Sequence, residues 1–287
     1  MTASHPDEDA ERAPAQAEVS AIAGAVYGLP PVAPPVRLQP WRYLYRLPLL
    51  LVWLLALPIL MLVMLPGLRT LRVGSRRLGG CVQQTFARAL ARILGFRLEI
   101  VGDWPPGPVL VVANHISWFD IVLLHALAPM WLVAKSGIRD WPVIGAVARS
   151  VGTIFIERGH EGSRRSAARR MTALLRRGEI VGLFPEAGIS AGRGVGRFHA
   201  RLFGAALRAG VPVLPVAIRY WRDGDVHDEH VFGPGKSLLG LALSALGRPG
   251  CRGQILIGPR LEPGDSRSEL ARRAQHEVQR LYARVHD

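Results

Sequence analysis

From Leu47 to Leu68 the chain carries no charged residue. At a helical rise of roughly 1.5 Å per residue such a run covers about 33 Å, enough to cross the roughly 30 Å hydrocarbon core of a bilayer. It reads as a membrane anchor. Trp41-Arg42-Tyr43-Leu44-Tyr45-Arg46 in front suits an interfacial belt of aromatic and basic residues, and Arg69, Arg72, Arg76 and Arg77 follow. Positive charge at both ends leaves the orientation open. Pro48, Pro58 and Pro66 keep a second geometry in play, a kinked helix pair dipping into one leaflet. A buried core helix of a soluble protein is the third reading, and such helices seldom lack polar residues for so long.

The remainder divides into three parts. Residues 1–40 are rich in Ala, Pro and acidic residues without apolar periodicity, so they read as a disordered leader. Residues 41–95 hold the anchor and then an amphipathic helix over 75–95, with Leu78, Val82, Phe86, Leu90 and Ile93 or Leu94 on one side. Residues 96–287 form the catalytic domain. There, β-rich runs over 97–101, 108–113, 152–156, 180–184 and 213–219 alternate with helical stretches, the pattern of an α/β domain with a largely buried sheet. Ser266-Arg267-Ser268-Glu269 is a capping box for a last polar helix.

Two cysteines, Cys81 and Cys251, provide neither a disulfide framework nor a zinc ligand set. The net charge of +14 is almost wholly arginine, since Lys135 and Lys236 are the only lysines. Arginine at that density suits nucleic acid, anionic lipid or an acidic carrier protein equally well. A soluble nucleic-acid binder accounts for the charge but leaves the 47–68 run without a purpose.

The apolar run Val109–Ala113 leads into Asn114-His115-Ile116-Ser117-Trp118-Phe119-Asp120, so a buried strand delivers a polar cluster to the start of a helix. Ser117 and Asp120 have N-cap and N3 spacing, which puts the carboxylate within reach of the His115 ring. An aspartate so placed fixes the imidazole tautomer and stabilises the imidazolium, as general-base catalysis requires. The positively polarised helix start is then a candidate to stabilise an oxyanion. A helix capped by Asn114, Ser117 and Asp120 beside an ordinary histidine fits these residues alone equally well.

Four blocks occur in order: Asn114-His115 through Asp120, Gly152–Gly159, Phe184-Pro185-Glu186 and Val211–Ala217. With Ala134-Lys135-Ser136 and Trp141–Gly145 between them, the chain resembles the lysophosphatidic acid acyltransferase family, glycerolipid acyltransferases with an N-H-x-x-x-x-D motif. The resemblance spans roughly residues 94–218. It implies a glycerolipid-acyltransferase-like α/β domain, a mixed sheet flanked by helices, preceded by N-terminal membrane helices. It implies no metal, no cofactor and no covalent acyl-enzyme. The co-substrate would be acyl-coenzyme A or acyl-carrier protein, and the partners membrane lipid rather than nucleic acid, at the cytoplasmic side of a bacterial inner membrane. His115 would be the general base and Asp120 its orienting partner. Asn114, Gly152, Arg158 and Glu186 would line the acceptor site. The apolar 211–217 stretch, twice interrupted by proline, suits a strand lining an acyl groove, while most of its side chains, with Val216-Ala217-Ile218 at its end, read as core packing.

The third block departs from the family pattern F-P-E-G-T-R-S. Here it reads Phe184-Pro185-Glu186-Ala187-Gly188-Ile189-Ser190, so an isoleucine stands where an arginine meets phosphate, and His199 replaces a basic residue further on. Each charge-assisted bond lost is worth about 1.5–3 kcal/mol. The departure resembles the lyso-ornithine lipid acyltransferase branch, whose acceptor has no phosphate. Arg193, Arg197 and Arg201 are the residues that could restore phosphate binding, which keeps lysophosphatidic acid open as acceptor. An inactive membrane-anchored scaffold is the alternative from another class, and the presence of His115, Asp120 and Glu186 argues against it.

Overall fold

The structure, a computed structural model, describes residues 37–157, 159–189, 194–222, 225–226 and 238–283. The leader over 1–36, Arg158 and Arg193 lie outside them. In chain order the helices are α1 (Trp41–Leu55), α2 (Leu57–Val63), α3 (Pro66–Thr70), α4 (Leu78–Ile93), α5 (Phe119–Leu127), α6 (Ile144–Ser150), α7 (Glu161–Arg176), α8 (Gly204–Ala209), α9 (Leu238–Gly247) and α10 (Arg267–Ala283). The strands are a small β1–β2 pair (Arg72–Val73, Arg76–Arg77), then β3 (Phe96–Val101), β4 (Leu110–Ala113), β5 (Trp131–Lys135), β6 (Ile154–Ile156), β7 (Val181–Leu183), β8 (Val213–Arg222), β9 (Asp225–Val226) and β10 (Cys251–Ile257).

The main sheet runs in the order β3-β10-β8-β4-β7-β5-β6, with β9 added to β8. Strands β4 to β8 are mutually parallel where they pair, β8 meets β10 antiparallel, and β10 meets β3 parallel. The sheet is therefore mixed, as expected. Its central strand shows why it is buried on both sides: Leu110 and Val112 join the core under α7, α8 and α10, while Val109, Val111 and Ala113 join the core under α4, α5 and α9. The five strands read from the sequence are present, and β5 and β10 complete the sheet. Val213, Leu214 and Val216–Ile218 are fully buried between the two helix layers. These side chains of the fourth block are thus core packing, as expected for most of them.

One stretch, Trp41–Val63, is long and apolar enough to cross a membrane, by length and composition, and only 17% of its most apolar window is buried. Among the described residues it alone meets that measure, so the N-terminal membrane helices expected in the plural come down to one candidate. It bends at Ala56 between α1 and α2, with Pro58 entering the second helix. Arg46, just 5% exposed, donates to the carbonyls of Ala245, Leu246 and Arg248 at 3.1, 3.1 and 2.8 Å. These carbonyls lie at and just past the end of α9, that of Ala245 also accepting the Arg248 amide at 3.3 Å, so the arginine caps the helix's C-terminus.

The amphipathic helix starts at Leu78, because β1 and β2 occupy 72–77. Leu90, Ala91, Ile93 and Leu94 pack into the core that α5 shares, so no structural gap falls at residue 95. Two of its polar residues are also buried: Gln84 donates to the carbonyls of Ala126 and Leu127, and Gln83 to Met130 and to His125 Nδ1 at 2.8 Å. Burial lowers the His125 pKa to about 4, so the ring is neutral and can accept that amide hydrogen. Half of the capping box at Ser266 is seen, the Glu269 amide donating to Ser266 Oγ at 3.3 Å, while the Glu269 carboxylate accepts from Arg272.

Candidate functional site

Because β4 to β8 run parallel, the segments that leave their carboxyl ends gather along one edge of the sheet, where α/β proteins place their ligands. Residues 114–120 leave β4 there, and Phe184-Pro185-Glu186 leaves the neighbouring β7.

Asp120 is the hub. It is fully buried, yet each oxygen is satisfied: Oδ2 accepts from His115 Nδ1 at 2.8 Å, from the Ile116 amide at 2.7 Å and from the Ser117 amide at 2.8 Å, while Oδ1 accepts from Tyr220 Oη at 2.7 Å. Bonds of this kind to a carboxylate are what make a buried charge tolerable. The bond from the Ser117 amide is one half of the expected capping pair; α5 itself begins at Phe119, one residue later than the spacing suggested. Since an oxygen already accepting two amides is an acceptor, Nδ1 carries the ring proton and Nε2 the lone pair. The imidazole stacks on Phe184 with ring centroids 4.1 Å apart and planes 18° apart. With its side chain 13% exposed, His115 has its ring at the boundary between core and solvent.

Glu186 is in the same cluster, accepting the His115 amide through Oε1 at 3.2 Å. Gly196 passes directly over it: a Cβ there would lie 2.7 Å from Glu186 Oε2. The His199 amide donates to the Pro185 carbonyl at 2.9 Å, so residues 194–199 run back along the third block and carry exposed Arg197 beside it. Ile189, at the position of the missing arginine, is 39% exposed.

Several expected site residues serve other purposes. Asn114 is fully buried, and its amide group exchanges two hydrogen bonds with the Ile218 backbone, Nδ2 to the carbonyl at 3.0 Å and Oδ1 from the amide at 2.7 Å. It extends the β4–β8 ladder and presents nothing to a ligand. Gly152 precedes β6, at the amino end of the sheet, so it is not brought to His115. It has φ +90° and a Cβ there would lie 2.2 Å from the Trp131 ring, so glycine is required by close packing. The amides expected to face an oxyanion are also taken: those of His115, Ile116 and Ser117 serve carboxylates, and that of Phe119 goes to Ser117 Oγ at 3.2 Å.

Tyr220 was not visible as a site residue. Its signal was a phenol in the buried, otherwise aliphatic face of β8, where the hydroxyl needs a partner. Among the described residues no cluster of three or more His, Cys, Asp or Glu could hold a metal ion.

Three comparisons bear on this edge. The family model described as Acyltransferase matches residues 97–219. A lyso-ornithine lipid O-acyltransferase of Pseudomonas aeruginosa is 42% identical over 194 residues, covering 66% of this chain and 73% of that protein. A 1-acyl-sn-glycerol-3-phosphate acyltransferase of Neisseria meningitidis is 38% identical over 151 residues, covering 50% of this chain and 59% of that protein. The crystal structure of the 1-acyl-sn-glycerophosphate acyltransferase of Thermotoga maritima shares the fold, with TM-score 0.56 and 21% identity over 86% of this chain and 100% of that one.

Proposed function

The chain belongs to the acyltransferase family, and on that premise we propose that it moves a fatty acyl chain from a thioester donor to the hydroxyl of lyso-ornithine lipid at a bacterial membrane. The observation that carries the chemistry is the hydrogen bond from His115 Nδ1 to Asp120, which leaves Nε2 as a base. In this reading Nε2 takes the proton of the lysolipid hydroxyl as the oxygen bonds to the thioester carbon. The tetrahedral intermediate collapses with cleavage of the carbon–sulfur bond, and the leaving thiolate takes the proton back from the imidazolium. Asp120 stabilises the transient positive charge, and Phe184 with Tyr220 keeps ring and carboxylate aligned. No residue of the protein is acylated.

The acceptor assignment rests on Ile189, whose uncharged side chain stands exposed beside the third block. A headgroup without phosphate needs no cation there. The 42% identity to a lyso-ornithine lipid acyltransferase points the same way. Lysophosphatidic acid is the second reading, supported by exposed Arg197 near Glu186 and by the Neisseria relative. Membrane attachment through Trp41–Val63, with the catalytic domain on the cytoplasmic side, belongs to the same proposal.

The test is an assay of purified protein with labelled acyl donor and each acceptor separately. Turnover of lyso-ornithine lipid in preference is expected; preference for lysophosphatidic acid replaces the first reading by the second. His115→Ala should lower turnover by about three orders of magnitude with the protein still folded, and wild-type rates in that variant would remove His115 as the base.

A further inference from the structure

On the side of the sheet under α7, α8 and α10 lies a cleft of about 400 Å³ that the proposed chemistry does not use. Its lining draws arginines from four places in the sequence: Arg164, Arg165 and Arg169 from α7, Arg201 from the 3-10 turn at 200–203, Arg208 from α8 and Arg267 from the start of α10. The one carboxylate among them is Glu161, which pairs with Arg165 at 3.2 Å. Five guanidinium charges are left over around one concavity. A surface that only kept the protein soluble would intersperse acids with them, since like charges at this spacing repel.

We propose that this cleft holds the phosphate-bearing end of a small soluble ligand of nucleotide size, and, resting on the acyl-transfer reading, that this ligand is the thioester donor. Guanidinium forks bind phosphate in bidentate fashion, and several forks set around one cavity match several phosphates on one molecule. The volume lies within the range of small-molecule sites. A folded acidic partner would cover on the order of 800 Å² of surface, whereas these arginines surround one concavity. A bilayer is the wrong ligand by position. Exposed Leu44, Leu51, Leu55, Ile59 and Leu239 belong to α1, α2 and α9, and both α1 and α9 pack into the core on the opposite face of the sheet. A membrane that takes up those side chains faces away from the arginines. The start of α7, which gives the cleft Glu161, Arg164 and Arg165, follows the carboxyl end of β6, and β6 runs parallel with β5, β7 and β4, so this end of the cleft lies toward the same edge of the sheet as His115.

The experiment uses the full chain in detergent, with coenzyme A as probe and no acyl group or acceptor present. Binding is measured by calorimetry for the wild type, for Arg164→Gln/Arg201→Gln and, more strongly, for Arg169→Glu/Arg201→Glu. All these positions are exposed or half-buried, so the fold should survive, and circular dichroism checks it. A Kd raised at least 10-fold in both variants, with a weaker salt dependence, supports the cleft. Equal affinity in wild type and variants, or no binding of coenzyme A by the wild type, overturns it. Vesicles containing anionic lipid form the second arm: equal binding by all three proteins is expected, and loss of vesicle binding with unchanged coenzyme A affinity overturns the proposal in favour of a lipid headgroup. The two readings fail separately. A protein that binds coenzyme A through the arginines but transfers nothing refutes acyl transfer and keeps the cleft. One that takes its acyl chain from a carrier protein and ignores coenzyme A does the reverse.

Discussion

The turn that carries His115 and the turn that carries Ile189 leave adjacent parallel strands at the same edge of the sheet, yet they are built in opposite ways. The first is over-determined. Every oxygen of Asp120 is used, the ring is stacked on Phe184, and Asn114 ties the strand end to β8. The second opens on Ala187, a non-glycine residue at φ 60°, held by a 3.3 Å bond from its own amide to the Phe184 carbonyl, and it leads to an exposed isoleucine. A turn fixed by many bonds thus stands beside one that, on the proposed reading, meets the acceptor headgroup. The two turns differ in what a substitution must disturb, and that difference can be tested from both sides.

The largest effect belongs to the rigid turn. Asp120→Asn keeps the shape but removes the charge that stabilises imidazolium, and kcat/KM should fall about three orders of magnitude; a loss under 10-fold would show that the rigidity is structural only. Next comes the permissive turn. Ile189→Arg should raise kcat/KM on lysophosphatidic acid by roughly 10-fold or more, the worth of one charge-assisted bond, while stability stays within about 0.5 kcal/mol of wild type. An unchanged acceptor ratio would move headgroup recognition elsewhere. Tyr220→Phe deletes one bond to Asp120 without leaving a hole, so kcat should drop about 10-fold with KM for both substrates unchanged. The smallest effect is Ala187→Gly, which relieves a left-handed alanine and should stabilise the protein by about 1 kcal/mol in thermal unfolding; destabilisation would mean that the turn is not strained.

The same contrast explains what the sequence could disclose. His115 and Asp120 are five residues apart on one turn, so a strand-to-helix pattern and capping spacing were enough to bring them together. Tyr220 reaches Asp120 from a hundred residues away, across a register between β4 and β8 that no local pattern encodes. Asn114 was misread for the same reason, since its partner Ile218 is equally remote. Gly152 signalled close approach correctly, but only the fold reveals that the approaching group is the Trp131 ring. Strand β10 opens Cys-Arg-Gly-Gln, a run too polar and glycine-broken to read as strand, and it is held by pairing on both sides. Strand β5, only five residues long, carries Trp131 and Lys135 at its ends, which leaves little apolar run to recognise.

Arg46 has a further meaning for anyone who wishes to handle this protein. It sits at the entrance to the apolar stretch and closes the end of a helix two hundred residues away, with Gly95 left bare so that the guanidinium fits. The apolar segment is accordingly a fixed stand and not a leash. Trimming the chain at residue 68 to gain solubility would remove the guanidinium from three backbone carbonyls, of which that of Ala245 would keep the Arg248 amide, and open a hole beside Gly95. Swapping in an unrelated apolar helix would lose the angle at which this segment meets the rest of the fold.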